Sequence, residues 1–147
     1  MSEEARFSTS LHRIEVHAGA HAKTDEFIWQ VTVGEVAGLV ALWGYMRCSM
    51  VQGYGQAQVV GTTLVWKFDE VSKNKASRAE FAEWVQQYAS EVMYDTARRA
   101  LQVQAALMDF SFDMATEAPT ATVQFEKRDA PRATRRPKSA RAEALSD

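Results

Sequence analysis

The chain has 147 residues, 46% of them hydrophobic, with all four tryptophans before residue 85; that is enough apolar surface for one substantial core, and one domain is expected. No window approaches the ~20 consecutive apolar residues of a bilayer span, and Met1–Arg6 is followed by no apolar leader, so a chain neither exported nor inserted is expected. A single cysteine, Cys48, excludes an internal disulfide, and with three scattered histidines it gives no zinc spacing; a reducing, cytoplasmic compartment without structural metal follows.

Charge is uneven along the chain. Seven basic and four acidic residues in 126–147 give that stretch +3 and leave −5 for the rest, from the overall net charge of −2. Pro131, Pro137 and many Ala and Arg, with Leu145 as the lone large aliphatic, predict a basic disordered tail over 126–147.

From Phe7 to Val71, runs of Val, Ile, Thr and aromatics separated by Gly predict four strands. In the first, about 7–17, the apolar phase slips between Leu11 and Ile14, the mark of a bulge or bend. In the second, Phe27, Trp29, Val31 and Val33 share one face and Gln30 and Thr32 the other. After Gly38, Leu42, Met46, Cys48 and Met50 oppose Trp43, Tyr45 and Val51, so the third strand is apolar on both faces and is read as central or doubly covered. Gly53-Tyr54-Gly55 is read as the next turn. In the fourth strand Leu64, Trp66 and Phe68 alternate with Thr63, Lys67 and Asp69 and are assigned to the core.

The period then changes. Ser77 and Glu80 have capping-box spacing, and Phe81, Trp84, Val85, Tyr88 and Val92 form an apolar stripe, continued with some rotation by Met93, Ala97, Leu101, Ala105 and Met108. A helix over about 77–107, roughly 45 Å long, exceeds what a lid on four strands needs, and its excess points to a partner chain. Met108, Phe110, Phe112 and Met114 alternate in an extended apolar segment, 108–114, and Glu117–Pro119 closes the ordered part. The fold class is α+β: a four-stranded antiparallel sheet followed by one long helix packed on it, in a domain spanning 1–125.

Little in the sequence is arranged for catalysis. There is no GxSxG, HExxH, P-loop or GxGxxG; His12 and His17 fall on opposite faces, His21 in a loop, and Cys48 reads as a small core hydrophobe. No carboxylate pair converges, so no catalytic residue, metal or cofactor is expected.

Three stretches carry a family likeness. The opening SLHRIEV, the helical WVQQYASEVMYDTARRAL and the following Phe110-Ser111-Phe112-Asp113-Met114-Ala115, together with the order of elements over residues 7–119, resemble the SecB family of export chaperones. Gln102–Ala106 departs from that family by continuing as helix where a Gly and Pro loop is usual, and the basic tail replaces a second helix. The weakly acidic body is similar to divergent SecB-like chaperones, some of which partner toxin–antitoxin modules or occur in phages.

The resemblance implies a holdase that keeps unfolded polypeptide clients in apolar grooves and assembles as a dimer or tetramer. An export motor or an antitoxin would be a further partner, with no membrane involved and no nucleic acid expected. On this reading Trp29, Trp43, Tyr45, Phe110 and Phe112 line the client groove, and Phe81, Trp84 and Tyr88 form core or oligomer interface. The competing reading is a nucleic-acid-binding or phage structural protein that uses Arg132, Arg135, Arg136, Lys138 and Arg141. A third, a small-ligand binder, predicts a closed cavity in a monomer.

Overall fold

The structure, a computed structural model, describes residues 7–19 and 25–126. Of the basic tail only Glu126 falls within them; the disorder expected of 127–147 lies outside the described residues. The architecture is α+β, but the sheet has five strands rather than four and is mixed rather than antiparallel: β1 Phe7–Ala18, β2 Glu26–Val36, β3 Leu39–Ser49, β4 Gly53–Lys67 and β5 Thr122–Phe125, in the order β1-β4-β3-β2-β5. β5 pairs parallel to β2, from Gln30↔Thr122 to Val33↔Phe125, and a strand of four residues is too short for alternation to announce it. The ordered chain therefore extends past Pro119, where the sequence reading ended it.

The β2–β3 hairpin turns through two residues, Ala37 and Gly38, both at positive φ (54° and 83°), the combination that matches strand twist in a tight hairpin. Between β3 and β4 the turn is Met50–Gln52, closed by the Met50 N–H on the Gly53 oxygen at 2.8 Å; Gly53-Tyr54-Gly55 lies inside β4 instead of forming the turn. These glycines serve close approach: a Cβ at Gly55 would stand 2.7 Å from the Phe112 ring. The slip read in β1 is a bulge at His12, since Leu11 pairs with Val59 and Arg13 with the adjacent Gln58.

The end of β4 departs most from its alternation. Leu39 pairs with Lys67 but Ala41 with Thr62, so β4 carries extra residues there, held by the Thr63 hydroxyl accepting from the N–H of Val65 (3.0 Å) and Trp66 (3.4 Å). The bulge turns Leu64 outward, 72% exposed, and leaves Trp66 half-buried, while Phe68 is buried at the start of a helical turn, α1 Phe68–Val71. Of the three residues assigned to one core face, Leu64 is thus a surface residue.

The long helix comprises α2 Lys75–Trp84, a wide π turn over Val85–Ala89, and α3 Ser90–Leu107. Its N-cap is Asn74, whose Oδ1 accepts the Ser77 N–H at 2.8 Å, three residues before the box expected at Ser77. Buried residues recur every four positions from Phe81 through Val85, Ala89, Met93, Ala97 and Leu101 to Ala105. That spacing is slower than the helical period of about 3.6, and the wide turn takes up part of the difference by holding one extra residue. At its end Asp109 adopts φ 66°, the Asp109 N–H reaches the Ala106 oxygen and the Phe110 N–H the Ala105 oxygen, a Schellman closure with Asp in the usual glycine position.

The helix covers one face of the sheet. Met93 approaches Gly44 and Gly61, Leu101 approaches Gly55, and the core gathers Trp29, Val31, Val33, Leu42, Met46, Cys48 and Val59 from the strands with Phe81, Val85, Met93, Tyr94 and Leu101 from the helix.

Candidate functional site

The other face of the sheet carries no helix among the described residues. Alternation in β3 sends Trp43, Tyr45 and Arg47 to it, joined by Ile28, Gln30 and Thr32 of β2, Tyr54, Gln56 and Val60 of β4, and Glu15 and His17 of β1. Trp43 and Tyr45 are half-buried there. The Trp43 ring lies across Gly34, where a Cβ would come 2.4 Å from it, so a side chain at that position would lift the indole from the sheet. Beside it Tyr45 and Tyr54 donate to the Gln56 oxygen at 2.9 and 3.0 Å, and Gln56 donates to Glu15 at 2.8 Å. Hydrogen bonds from His17 (2.6 Å) and then Gln56 hold the Glu15 carboxyl below its ordinary pKa. The phenol groups are thus fixed, with both tyrosines half-buried.

The remaining client-groove candidates are placed elsewhere. Trp29 is 4% exposed, beneath the helix, with its indole N–H donated to Ser90 at 2.9 Å; Phe112 is 3% exposed against Gly55 and Leu101. Both belong to the core: Trp29 lies on the strand face that the helix covers, and Phe112, in an irregular segment, packs over Gly55 on that same face. Phe110 is half-buried, edge-on to Phe112 at 5.1 Å. The five candidates therefore divide: Trp43 and Tyr45 share the open face, and the other three lie on the helix side.

The interface candidates form part of an aromatic cluster. Phe81 is buried, stacked on Trp84 at 5.3 Å and edge-on to Trp66 and Phe125, so it is core. Trp84 is half-buried between Phe81 and Phe7, and Tyr88, 38% exposed, stands at the rim of a cleft of about 130 Å³ lined by Phe7, Trp84, Tyr88 and Val92. Further along the outer side of the helix, beyond Thr96 and the exposed Asp95–Arg99 ion pair, Val103 and Leu107 are exposed as well, so the apolar residues Val92, Val103 and Leu107 share that side without forming an unbroken stripe.

A third feature escaped the sequence reading. Residues 110–121 form no helix or strand, yet they run back along the helix pinned by its side chains. Gln102 donates to the Phe112 oxygen at 2.6 Å and accepts the Phe112 N–H at 3.1 Å; Gln86 makes the same pair with Ala121 at 2.6 and 3.1 Å. Between them Tyr94 donates to the Ala115 oxygen at 2.6 Å and Glu91 accepts the Ala118 N–H at 3.2 Å. Burial raises the Tyr94 pKa above its ordinary value. Nothing in the residue types marks this role, because an uninterrupted α-helix at about 100° per residue would set Gln86 about 160° round from Gln102. The π turn reduces that offset, and it is not legible as periodicity.

Among the described residues no group of three His, Cys, Asp or Glu could hold a metal, and no helix is long and apolar enough to cross a membrane. The residues proposed for nucleic-acid contact, Arg132 to Arg141, lie outside the described residues. Comparison with protein-family models, with curated proteins and with solved structures finds no match.

Proposed function

We propose that this chain is a holdase that binds unfolded polypeptide without catalysing a reaction, in the manner the SecB resemblance implies, and that it works as a homo-oligomer. The observation that carries the reading is the open sheet face, where Trp43 and Tyr45 stand side by side on the central strand with no covering element among the described residues. Each apolar side chain that a client removes from water there contributes ~1.5–3 kcal/mol, so a few weak contacts along one unfolded chain suffice to hold it. Rigid aromatic rings with a polar tip suit such a surface, since they contribute large area at low entropic cost. The assembly is supported by the exposed apolar residues Tyr88, Val92, Val103 and Leu107 on the side of the helix away from its own sheet.

The test is light scattering of the full-length protein with a permanently unfolded, reduced and carboxymethylated probe protein in excess. A dimer or tetramer that takes up the unfolded probe and ignores its folded form is expected, with Trp43→Ala/Tyr45→Ala weakening uptake at least tenfold. A monomer indifferent to the unfolded probe overturns the proposal.

A further inference from the structure

The segment 110–126 is held as a ligand is held rather than as a loop is closed. Sixteen residues of helix between Gln86 and Gln102 span ~24 Å, and the nine steps from Phe112 to Ala121 cover it at roughly 2.7 Å each, near the ~3.3 Å of a strand. The chain runs alongside the helix in irregular, partly extended form, with a bend at Thr116–Glu117. Its fixings are side-chain amides that each read the N–H and C=O of a single residue, Phe112 or Ala121, and so are indifferent to the side chain that residue carries. Phe112 and Ala121 alone are buried within 110–121, and beyond them β5 adds four residues to the outer edge of β2. Asp109, the hinge from which the segment leaves the helix, sits at a positive φ that Asp adopts at some cost.

From these observations we infer that the groove between the long helix and the edge of β2 is a binding site for an extended polypeptide segment with aromatic residues two apart. Residues 110–126 are its resident, displaceable occupant. Gln86 and Gln102 clamp the main chain of whichever segment lies in the groove, the space over Gly53 and Gly55 takes the Phe-x-Phe pair that Phe110 and Phe112 now supply, and the β2 edge takes the following strand. The function assigned to the groove rests on the reading of this chain as a polypeptide binder; the groove itself is distinct from the open face and is tested separately.

The probe is a fluorescein-labelled synthetic peptide of residues 108–126, offered to the full chain in which the resident anchor is removed, Phe112→Ala. Emptying the anchor raises the fraction of open groove, so the wild-type peptide should bind this variant at least tenfold more tightly than it binds the parent chain and should raise its melting temperature. Should the variant fold poorly alone, recovery of folded protein when the peptide is present during refolding reads the same event. Adding Gln86→Ala and Gln102→Ala should abolish the gain, and Asp109→Gly in the parent chain, by easing the hinge, should lower the residual binding about fivefold. Failure of the peptide to bind or rescue, or binding insensitive to the two glutamines, overturns the site. Displacement of the peptide by the unfolded probe protein supports its use for clients. A peptide that binds and is not displaced overturns that use, even where the probe protein still binds the open face and the holdase reading stands.

Discussion

Cys48 stands on the helix-covered face of β3, where burial first, then the Asp25 and Asp113 carboxylates, pushes its thiol from 9.0 up to about 11. At pH 8 it should resist a thiol reagent in the native chain and react fully on denaturation, as a timed labelling assay would show. The sign for stability follows from the raised pKa: between pH 9 and 11 the unfolded thiol has lost its proton and the folded one keeps it, so stability falls with rising pH. Cys48→Ala should flatten that part of a pH series of denaturation midpoints. Trp29 and Ser90 give a second case, since both are buried and each satisfies the other. Ser90→Ala should cost about 1–3 kcal/mol by orphaning the indole N–H, and a double-mutant cycle with Trp29→Phe should recover part of it. Trp29 and Trp43 also show how far sequence reaches at this scale. Both lie on alternating strands with apolar faces, and β3 is apolar on both sides; which face the helix takes is decided by the glycines at 44, 55 and 61 that admit it, not by hydropathy.

At the scale of elements, period carried most of what was legible. The alternation of β2 and the slip in β1 are present as read, because each extends over enough residues for a phase to be defined; the stripe of the helix is present from Phe81 and Val85 through Met93, Ala97, Leu101 and Ala105, but Tyr88, Val92 and Met108, read as part of it, are exposed and Ala89 takes the buried position. β5, the bulge at Thr63–Trp66 and the π turn each involve about five residues or fewer and leave no such phase; the Asn74 cap was hidden by a second plausible cap three residues on. The π turn is testable by deletion. Because it holds one residue more than α-helical geometry, removing exposed Gln87 should let the turn close as α-helix with Phe81 and Met93 still on the sheet side, costing about 1 kcal/mol or less. Deleting Thr96, in regular helix, rotates everything beyond it by about 100° and should cost several kcal/mol. Chemical denaturation of the two variants measures the difference; equal losses would show that the wide turn carries no spare residue.

For the molecule as a whole, the open sheet face and the exposed apolar residues of the helix lie on opposite sides of the sheet–helix layer, so the proposed client uptake and the proposed assembly can be tested separately by mutation. Val92, Val103 and Leu107 are 46%, 59% and 74% exposed, and a carboxylate at each should leave the fold within about 0.5 kcal/mol of the parent, as expected for surface positions. Placed against a second copy, the same three charges would be buried without partners, at a cost that no apolar contact along one helix offsets. The triple variant Val92→Glu/Val103→Glu/Leu107→Glu should therefore scatter as a particle of one 16.5 kDa chain. It should keep an intact Trp43–Tyr45 face, so each chain should still take up an unfolded probe, but more weakly, because contacts on neighbouring copies no longer add along one client. Trp43→Ala/Tyr45→Ala should do the reverse, keeping the assembled mass and losing uptake. If the helix variant keeps the parent's mass, the copies meet elsewhere; the outer edge of β1, which among the described residues pairs with β4 on its inner side alone, is then the surface to charge next.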